Sequence, residues 1–402
     1  MQRRQFLRHA AAFTAATALP FKAHSRDAVR VGVIGGGIVG ASIAWHLARA
    51  GAQVTLFEKS QPASGATRNS FAWLNAFADH AQYRALRLDS MASWRQLDRS
   101  LRLGIVWGGY TSWARTPEQL KVLEEAAAEM RGTRFPVRSI SAAELQSMTP
   151  GLVTGEVAAA FYSSIDGHLD PVAVTGTLLK SARRLGARTL TDTQVLGLNL
   201  TNGTLSGVHM AAGEVPLDRL VIAGGVDTPA LLAMAGFDKL HLKHGPGILA
   251  HSKPTAIATR LIYDAPGTLS FKQMADGSIV GTDSPYPPDL PVHREIREHA
   301  MAFPTQELAD KHGNRILSKI AEVLPAARGV PLDRLTLGFR PLPPDELPVI
   351  GAVPGVNGVH VAVMHSGVTL APIVGRYVTR EVLRGERVPA LAPFRPERFA
   401  AA

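Results

Sequence analysis

The chain has 402 residues, 46% hydrophobic and 19% charged, a globular composition with material for two or three domains. It has no cysteine, which excludes disulfides, thiolate catalysis, Cys-ligated zinc and iron–sulfur clusters. The formal charge of +10 falls to +6 once Arg3, Arg4, Arg8 and Lys22 are set aside, and no long Lys/Arg run remains, which argues against nucleic-acid binding.

The first 25 residues read as an address. Arg3-Arg4-Gln5-Phe6-Leu7 precedes an Ala-rich apolar stretch, about Ala10 to Leu19, too short to span a membrane. The paired arginines resemble a twin-arginine (Tat) signal, which implies passage of the folded protein through the Tat translocon to the periplasm, with attachment at the membrane left open. Cleavage after Ala18 or after Ala23 fits equally well.

The fold begins at a buried strand, Val29 to Ile34, followed at once by Gly35-Gly36-Gly37-Ile38-Val39-Gly40 and a helical stretch to Ala50. A second strand, Gln53 to Phe57, ends at Glu58. Strand, glycine turn, helix, strand and acid in this order are the parts of a dinucleotide cradle. Gly35 permits the turn, Gly37 lets the backbone approach a pyrophosphate, and Gly40 lets the helix pack closely. The helix start offers N–H groups and partial positive charge to phosphates. Glu58 is placed to accept from ribose hydroxyls and disfavours a 2′-phosphate.

A polar loop, Ser64-Gly65-Ala66-Thr67-Arg68-Asn69-Ser70, follows where a simple nucleotide domain would continue with strands and helices. It is suited to run along a longer cofactor. Residues 117–131 read as a solvated helix of mixed charge. Asp166 to Pro171 leads into a helix with Asp170 as N-cap and Pro171 at its first position, ending near Gly186. Short strands are expected around Thr193–Leu198, Thr204–His209 and Leu220–Ile222, and Ala223-Gly224-Gly225 opens another helix. Tyr263 falls on a strand from Arg260, where a core role and a site role both stand open. Val359 to Val363 is a strand, Met364-His365-Ser366-Gly367 a turn, and Gly367 to Leu383 a helix. His241, Lys243 and His244 are too sparse for a metal site, and no GxSxG elbow is present.

Taken in order, the cradle with Glu58, the Ser64–Ser70 loop, Asp166–Pro171, Val221–Gly225, Leu337-Gly338-Phe339-Arg340-Pro341 and His365–Pro372 resemble the D-amino acid oxidase superfamily of FAD-dependent oxidoreductases. The resemblance is nearest to glycine oxidase, sarcosine oxidase and D-amino-acid dehydrogenase. It covers nearly the whole chain after the leader and is weakest over 76–155 and 250–330.

The resemblance implies an α/β (α+β) fold with a Rossmann-like FAD domain of the GR2 type and a largely antiparallel substrate domain. The FAD domain would comprise 28–75, 157–235 and 333–390, and the substrate domain 76–156 and 236–332. It implies noncovalent FAD held by Gly35, Gly37, Ile38, Val39, Gly40, Glu58, Lys59, the loop Gly65, Ala66, Thr67, Arg68, Asn69 and Ser70, then Val195, Ala223, Gly224, Gly367, Val368 and Thr369. Arg340 would clamp a substrate carboxylate, with His365 and Tyr263 near the reacting centre. The implied reaction moves hydride from the C–H beside a small amine or amino-acid nitrogen to flavin N5, and the imine then hydrolyses to a carbonyl product. Oxygen or a respiratory quinone would take the electrons, and a noncatalytic flavin-binding protein is the remote alternative.

Overall fold

The computed structural model describes residues 28–130, 133, 136–243, 245–256, 259–265, 269–283, 302–303 and 305–400. The leader, the final residue of the expected 117–131 helix, and His244 lie outside the described residues. Among the described residues no helix is long and apolar enough to cross a membrane.

The run Arg30–Ile34 forms the centre of a six-stranded sheet. It pairs in parallel with Gln53–Phe57 on one side and Arg219–Ile222 on the other. Arg188–Leu190 and Val359–Val363 extend the parallel array, and Val349–Ala352 closes one edge antiparallel. Both faces of this sheet are covered, so its central strands are buried along their whole length after the first residue. The cradle helix Ile38–Arg49, the helix Pro171–Arg184 and the C-terminal helix Gly367–Arg384 cover one face. A three-stranded meander, Val195–Thr201, Thr204–Met210 and Gly213–Pro216, covers the other through Val195, Leu205, Val208 and Met210.

A second, eight-stranded sheet runs in the order Leu332–Phe339, Pro246–Ser252, Ile279–Thr282, Leu269–Gln273, Ile262–Ala265, Tyr110–Ala114, Ala159–Ser163, Val137–Ile140. Every neighbouring pair is antiparallel except Ile262–Ala265 with Tyr110–Ala114. The helix Gln306–Val323 packs Ile316, Leu317 and Ile320 on one face of this sheet. The opposite face carries Ser270, Lys272 and Thr282, which line cavities.

The mixed architecture agrees with the fold class expected from the sequence, and three segments sit differently from the expected division. Ala159–Ser163 and Leu332–Phe339 are strands of the eight-stranded sheet. The helix Ala81–Leu101 packs Leu86, Met91, Trp94 and Leu97 into the core it shares with the cradle and C-terminal helices.

The packing of that last helix has a specific chemical cause. Pro372 lies inside the C-terminal helix and has no N–H, so the carbonyl four residues earlier, Val368, has no helical donor. Trp94 donates its indole N–H to Val368 O at 3.0 Å and to Thr369 O at 2.9 Å, and Ser90 donates to Thr369 O at 2.6 Å. On the other flank Ser42 donates to Ala371 O at 2.7 Å. The proline thus frees the Val368 carbonyl for the Trp94 indole, while Ser90 and Ser42 add bonds to Thr369 O and Ala371 O that tie the first turns of the C-terminal helix to two neighbouring helices. Trp94→Phe removes the indole donor from a buried carbonyl and leaves a smaller ring. The variant is expected to lose about 2–4 kcal/mol, read as a lower urea midpoint at unchanged slope.

Candidate functional site

The cradle is built as its spacing predicts. Gly35 has φ 107°, and a Cβ there would sit 2.3 Å from the Ala223 carbonyl oxygen, so conformation and space both demand glycine. A Cβ on Gly40 would lie 2.0 Å from Gly35 O, so the helix rests directly on the turn. Gly37 is the N-cap of the cradle helix, has no side-chain cap, and no acid occupies the first turn. The positive end of this helix is therefore open to an anion.

Glu58 is buried at the end of its strand and accepts from Gly36 N–H at 2.7 Å and Ser60 N–H at 2.8 Å, one on each carboxylate oxygen. Each oxygen keeps a second lone pair for a sugar hydroxyl. The loop after it folds against the turn. Thr67 Oγ1 accepts from Ile38 N–H at 3.1 Å, Ala63 N–H donates to Gly36 O, and Ser70 Oγ donates to Thr67 O at 2.9 Å. These donors and glycines fit a flavin dinucleotide. Lys59 instead points outward to an exposed ion pair with Asp227 at 2.6 Å. Val195 is buried in the core beneath the sheet with Phe57. Gly224 is held close to Leu231, beside the Ala223 carbonyl that faces Gly35.

The C-terminal helix starts beside the cradle helix: a Cβ on Gly367 would sit 2.9 Å from Val39 Cγ2. Its N-cap, Ser366, makes no capping bond, and its first turn holds no acid. Ser366, Val368 and Thr369 border a cavity of about 340 Å³ that runs to the eight-stranded sheet. Ala66, Asn69 and Ser70 line it from the loop, and Arg340 and His365 line it as well.

The cavity has walls that sequence reasoning did not single out: Trp73, Asn75, Phe77 and Arg87. Trp73 stacks on Tyr110 at 4.8 Å and donates its indole N–H to Asp166 Oδ2 at 2.7 Å. Ser163 donates to the other oxygen of Asp166. Burial pushes the Asp166 carboxyl up to about 7, against the pull of these bonds and of the Arg87 charge. Asp166 was visible only as a turn residue. The local signal for its second role is the aromatic cluster of Trp73, Phe77 and Tyr110 around it. His365 borders the open cavity but is crowded by protein. Burial first, then the charges of Arg340 and Arg87, hold its imidazole down to about 4, so it is neutral at pH 7.

Tyr263 lies elsewhere. It is fully buried, stacked on Phe271 at 4.7 Å, with its hydroxyl 2.6 Å from Thr259 Oγ1. It faces the helix-covered side of the sheet, paired in register with Phe271, whereas Ser270 and Lys272 project to the cavity side. Strand periodicity removes it from the cavity and makes it a core residue.

Arg68 faces a second cavity of about 340 Å³ that shares Ser70 and Ala72 with the first. His168, His251, Lys272 and Arg334 line it, with Asp170 and Asp276. Lys272 is almost wholly buried, which brings its ammonium down to about 7.

If Glu58 carries the cofactor sugar as well as the two backbone donors, Glu58→Ala should purify with far less flavin. The expected fall in FAD affinity is about tenfold or more, read by titrating stripped protein and following flavin fluorescence.

Comparison with known proteins bears on the same geometry. Residues 30–381 match the family described as DAO, FAD dependent oxidoreductase. The chain is similar to the mitochondrial dimethylglycine dehydrogenase of Rattus norvegicus, 26% identical over 393 residues, covering 93% of this chain and 45% of that protein. It thus spans less than half the length of that relative. It is also similar to the glycine oxidase of Geobacillus kaustophilus, 25% identical over 376 residues and covering 90% of this chain and 95% of that one. Among solved structures, L-proline dehydrogenase from P. horikoshii superposes with a TM-score of 0.79 at 24% identity, covering 93% of this chain and 98% of that one, a likeness of fold. With a cradle whose glycines and open helix end fit the cofactor, and a family match spanning that cradle and the cavity, this chain belongs to the DAO family of FAD-dependent oxidoreductases.

Proposed function

We propose that this protein oxidises the C–N bond of a small amino acid or secondary amine in the cavity between the C-terminal helix and the eight-stranded sheet. The observation that carries the reading is the meeting of Arg340 and His365 with the uncapped start of that helix along one cavity wall. FAD, held noncovalently over the cradle by the turn at Gly35 and Gly37 and by Glu58, would supply the hydride acceptor for the substrate C–H. Arg340 offers a guanidinium fork to a carboxylate and so orients the adjacent carbon. His365, neutral at pH 7, adds no positive charge beside the amine, whose lone pair must be available as the C–H breaks. Trp73 and Phe77 form an aromatic wall that keeps water from that carbon. The first-turn N–H groups at Gly367, Val368 and Thr369 present a positive helix end to negative charge developing against them.

The same proposal takes residues 1–25 as a Tat leader that delivers the folded protein to the periplasm, where oxygen or a respiratory quinone receives the electrons. Stoichiometric peroxide with substrate identifies oxygen as the acceptor, and its absence with rapid quinone reduction identifies a dehydrogenase.

Screening amines anaerobically against the yellow protein tests the central reading. At least one small amino acid or secondary amine should bleach the flavin band near about 450 nm, and no bleaching by any amine rejects the proposal. Arg340→Ala should stay yellow while KM rises by about tenfold or more. An unchanged KM would remove Arg340 from substrate binding.

A further inference from the structure

Behind the cavity wall lies a carboxylate that lines neither cavity. Asp166 is wholly buried in the turn between strand Ala159–Ser163 and the two-residue strand Gly167–His168. One of its oxygens accepts from Ser163 Oγ and the other from the Trp73 indole at 2.7 Å. Trp73 lines the cavity, and its ring stacks on Tyr110 at 4.8 Å with 28° between the planes. Its backbone pairs with His168, and its carbonyl accepts from Thr369 Oγ1 at 3.2 Å, in the first turn of the C-terminal helix. The residue before it, Ala72, has φ 52°, a left-handed conformation that alanine keeps only where its surroundings impose it. An indole has one hydrogen-bond donor and no acceptor, so Asp166 is the polar anchor of this ring.

We propose that Asp166 is a positioning residue that restricts the bulk of the ligand the cavity accepts, acting through Trp73. The ring cannot swing about its side-chain bonds without leaving the indole donor and a buried carboxylate oxygen each short of a bond. A fixed ring is a hard boundary, and a freed ring yields to a larger ligand. The ionised carboxylate is the firmer anchor, because a charge-assisted bond is stronger than a neutral one. The protonated acid still offers Trp73 a carbonyl oxygen once Ser163 turns from donor to acceptor, and an asparagine offers the same oxygen without a charge. Burial brings the carboxyl up to about 7, so both forms are reached near neutrality. The ionisable groups on the elements packed around it are Arg87 and Arg95 on the helix Ala81–Leu101, Tyr110 with its partner Asp264 on the sheet, and His168. That this cavity takes the substrate rests on the proposed function, while the ligand binding predicted from it is measurable without turnover.

Methoxyacetate and phenoxyacetate test it on the purified yellow protein. Each carries one carboxylate and no oxidisable amine, and the two differ in bulk; their dissociation constants are read from the perturbed flavin spectrum. Asp166→Leu strips the indole of its acceptor and should shift the affinity ratio toward phenoxyacetate by about fivefold or more. Asp166→Asn should stay closer to the parent. In the parent the ratio should drift toward phenoxyacetate as pH falls through about 7, and in Asp166→Asn it should stay flat at the value the parent reaches in acid. The carboxylate common to both probes cancels the effect of other groups that act on ligand charge. A ratio unmoved by Asp166→Leu overturns the inference, as does an Asp166→Asn ratio equal to that of Asp166→Leu, or a parent that binds neither probe. If Asp166→Leu does not fold, the pH series decides, and a parent ratio as flat as that of Asp166→Asn overturns it. Bleaching by amines with an unmoved ratio sinks this inference and leaves the proposed function standing; a shifted ratio with no bleaching by any amine does the reverse.

Discussion

Two helices begin side by side, and the site depends on that closeness. Gly367 packs against Val39, Gly375 leaves room for Ser42 and His46, and Ser42 bonds the carbonyl of Ala371. The cradle helix, with only Ile38 N–H taken by Thr67 Oγ1, and the C-terminal helix, with no capping bond from Ser366, therefore bring two acid-free N-termini to neighbouring positions. Two positive helix ends cost little when an anionic cofactor lies against them, and each is costly to leave without one. The glycines act as spacers here. Replacing any of them with a larger residue pushes a helix start away from the turn or from its partner.

From this pair of helix ends the remaining parts follow by packing. Pro372 frees the Val368 carbonyl that the Trp94 indole satisfies, and the helix carrying Trp94 also delivers Arg87 to the cavity. The eight-stranded sheet presents Ser270, Thr282 and Arg340 from the other side. Asp166 ties the aromatic wall together from behind through the Trp73 indole. The cavity is thus a seam between a nucleotide-holding unit and a sheet. Its charges come from both sides of the seam.

Much of the cofactor side was legible in the chain because its contacts are short in sequence or set by backbone. Gly40 and Glu58 meet main-chain atoms of the same strand–turn–helix–strand, Gly35 is required by its own positive φ, and Asp170 caps Val172 and Ala173 within its own turn. Arg340 and His365 were legible through local motifs at strand and helix ends. Arg87 was not, since a single arginine on an amphipathic helix reads as a surface residue until the fold turns it inward. Tyr263 illustrates a different limit. The alternation that marks the cavity face, Ser270 and Lys272 against Leu269 and Phe271, lies on the neighbouring strand, and only the pairing register of Tyr263 with Phe271 assigns Tyr263 to the core face. Lys59 follows Glu58 in sequence but turns into solvent, and Val195, far along the chain, packs its side chain into the core beneath the sheet.

The two helix ends and Glu58 together suit a dinucleotide that spans from Glu58 to the start of the C-terminal helix, and titration of the stripped protein with FAD and with FMN tests that span most directly. FMN keeps the ring and one phosphate but lacks the adenosine that would reach Glu58. FAD should bind at one per chain, and FMN should bind weaker by about a hundredfold or more. Equal affinity for the two, or a colourless protein that takes up neither, would contradict such a span.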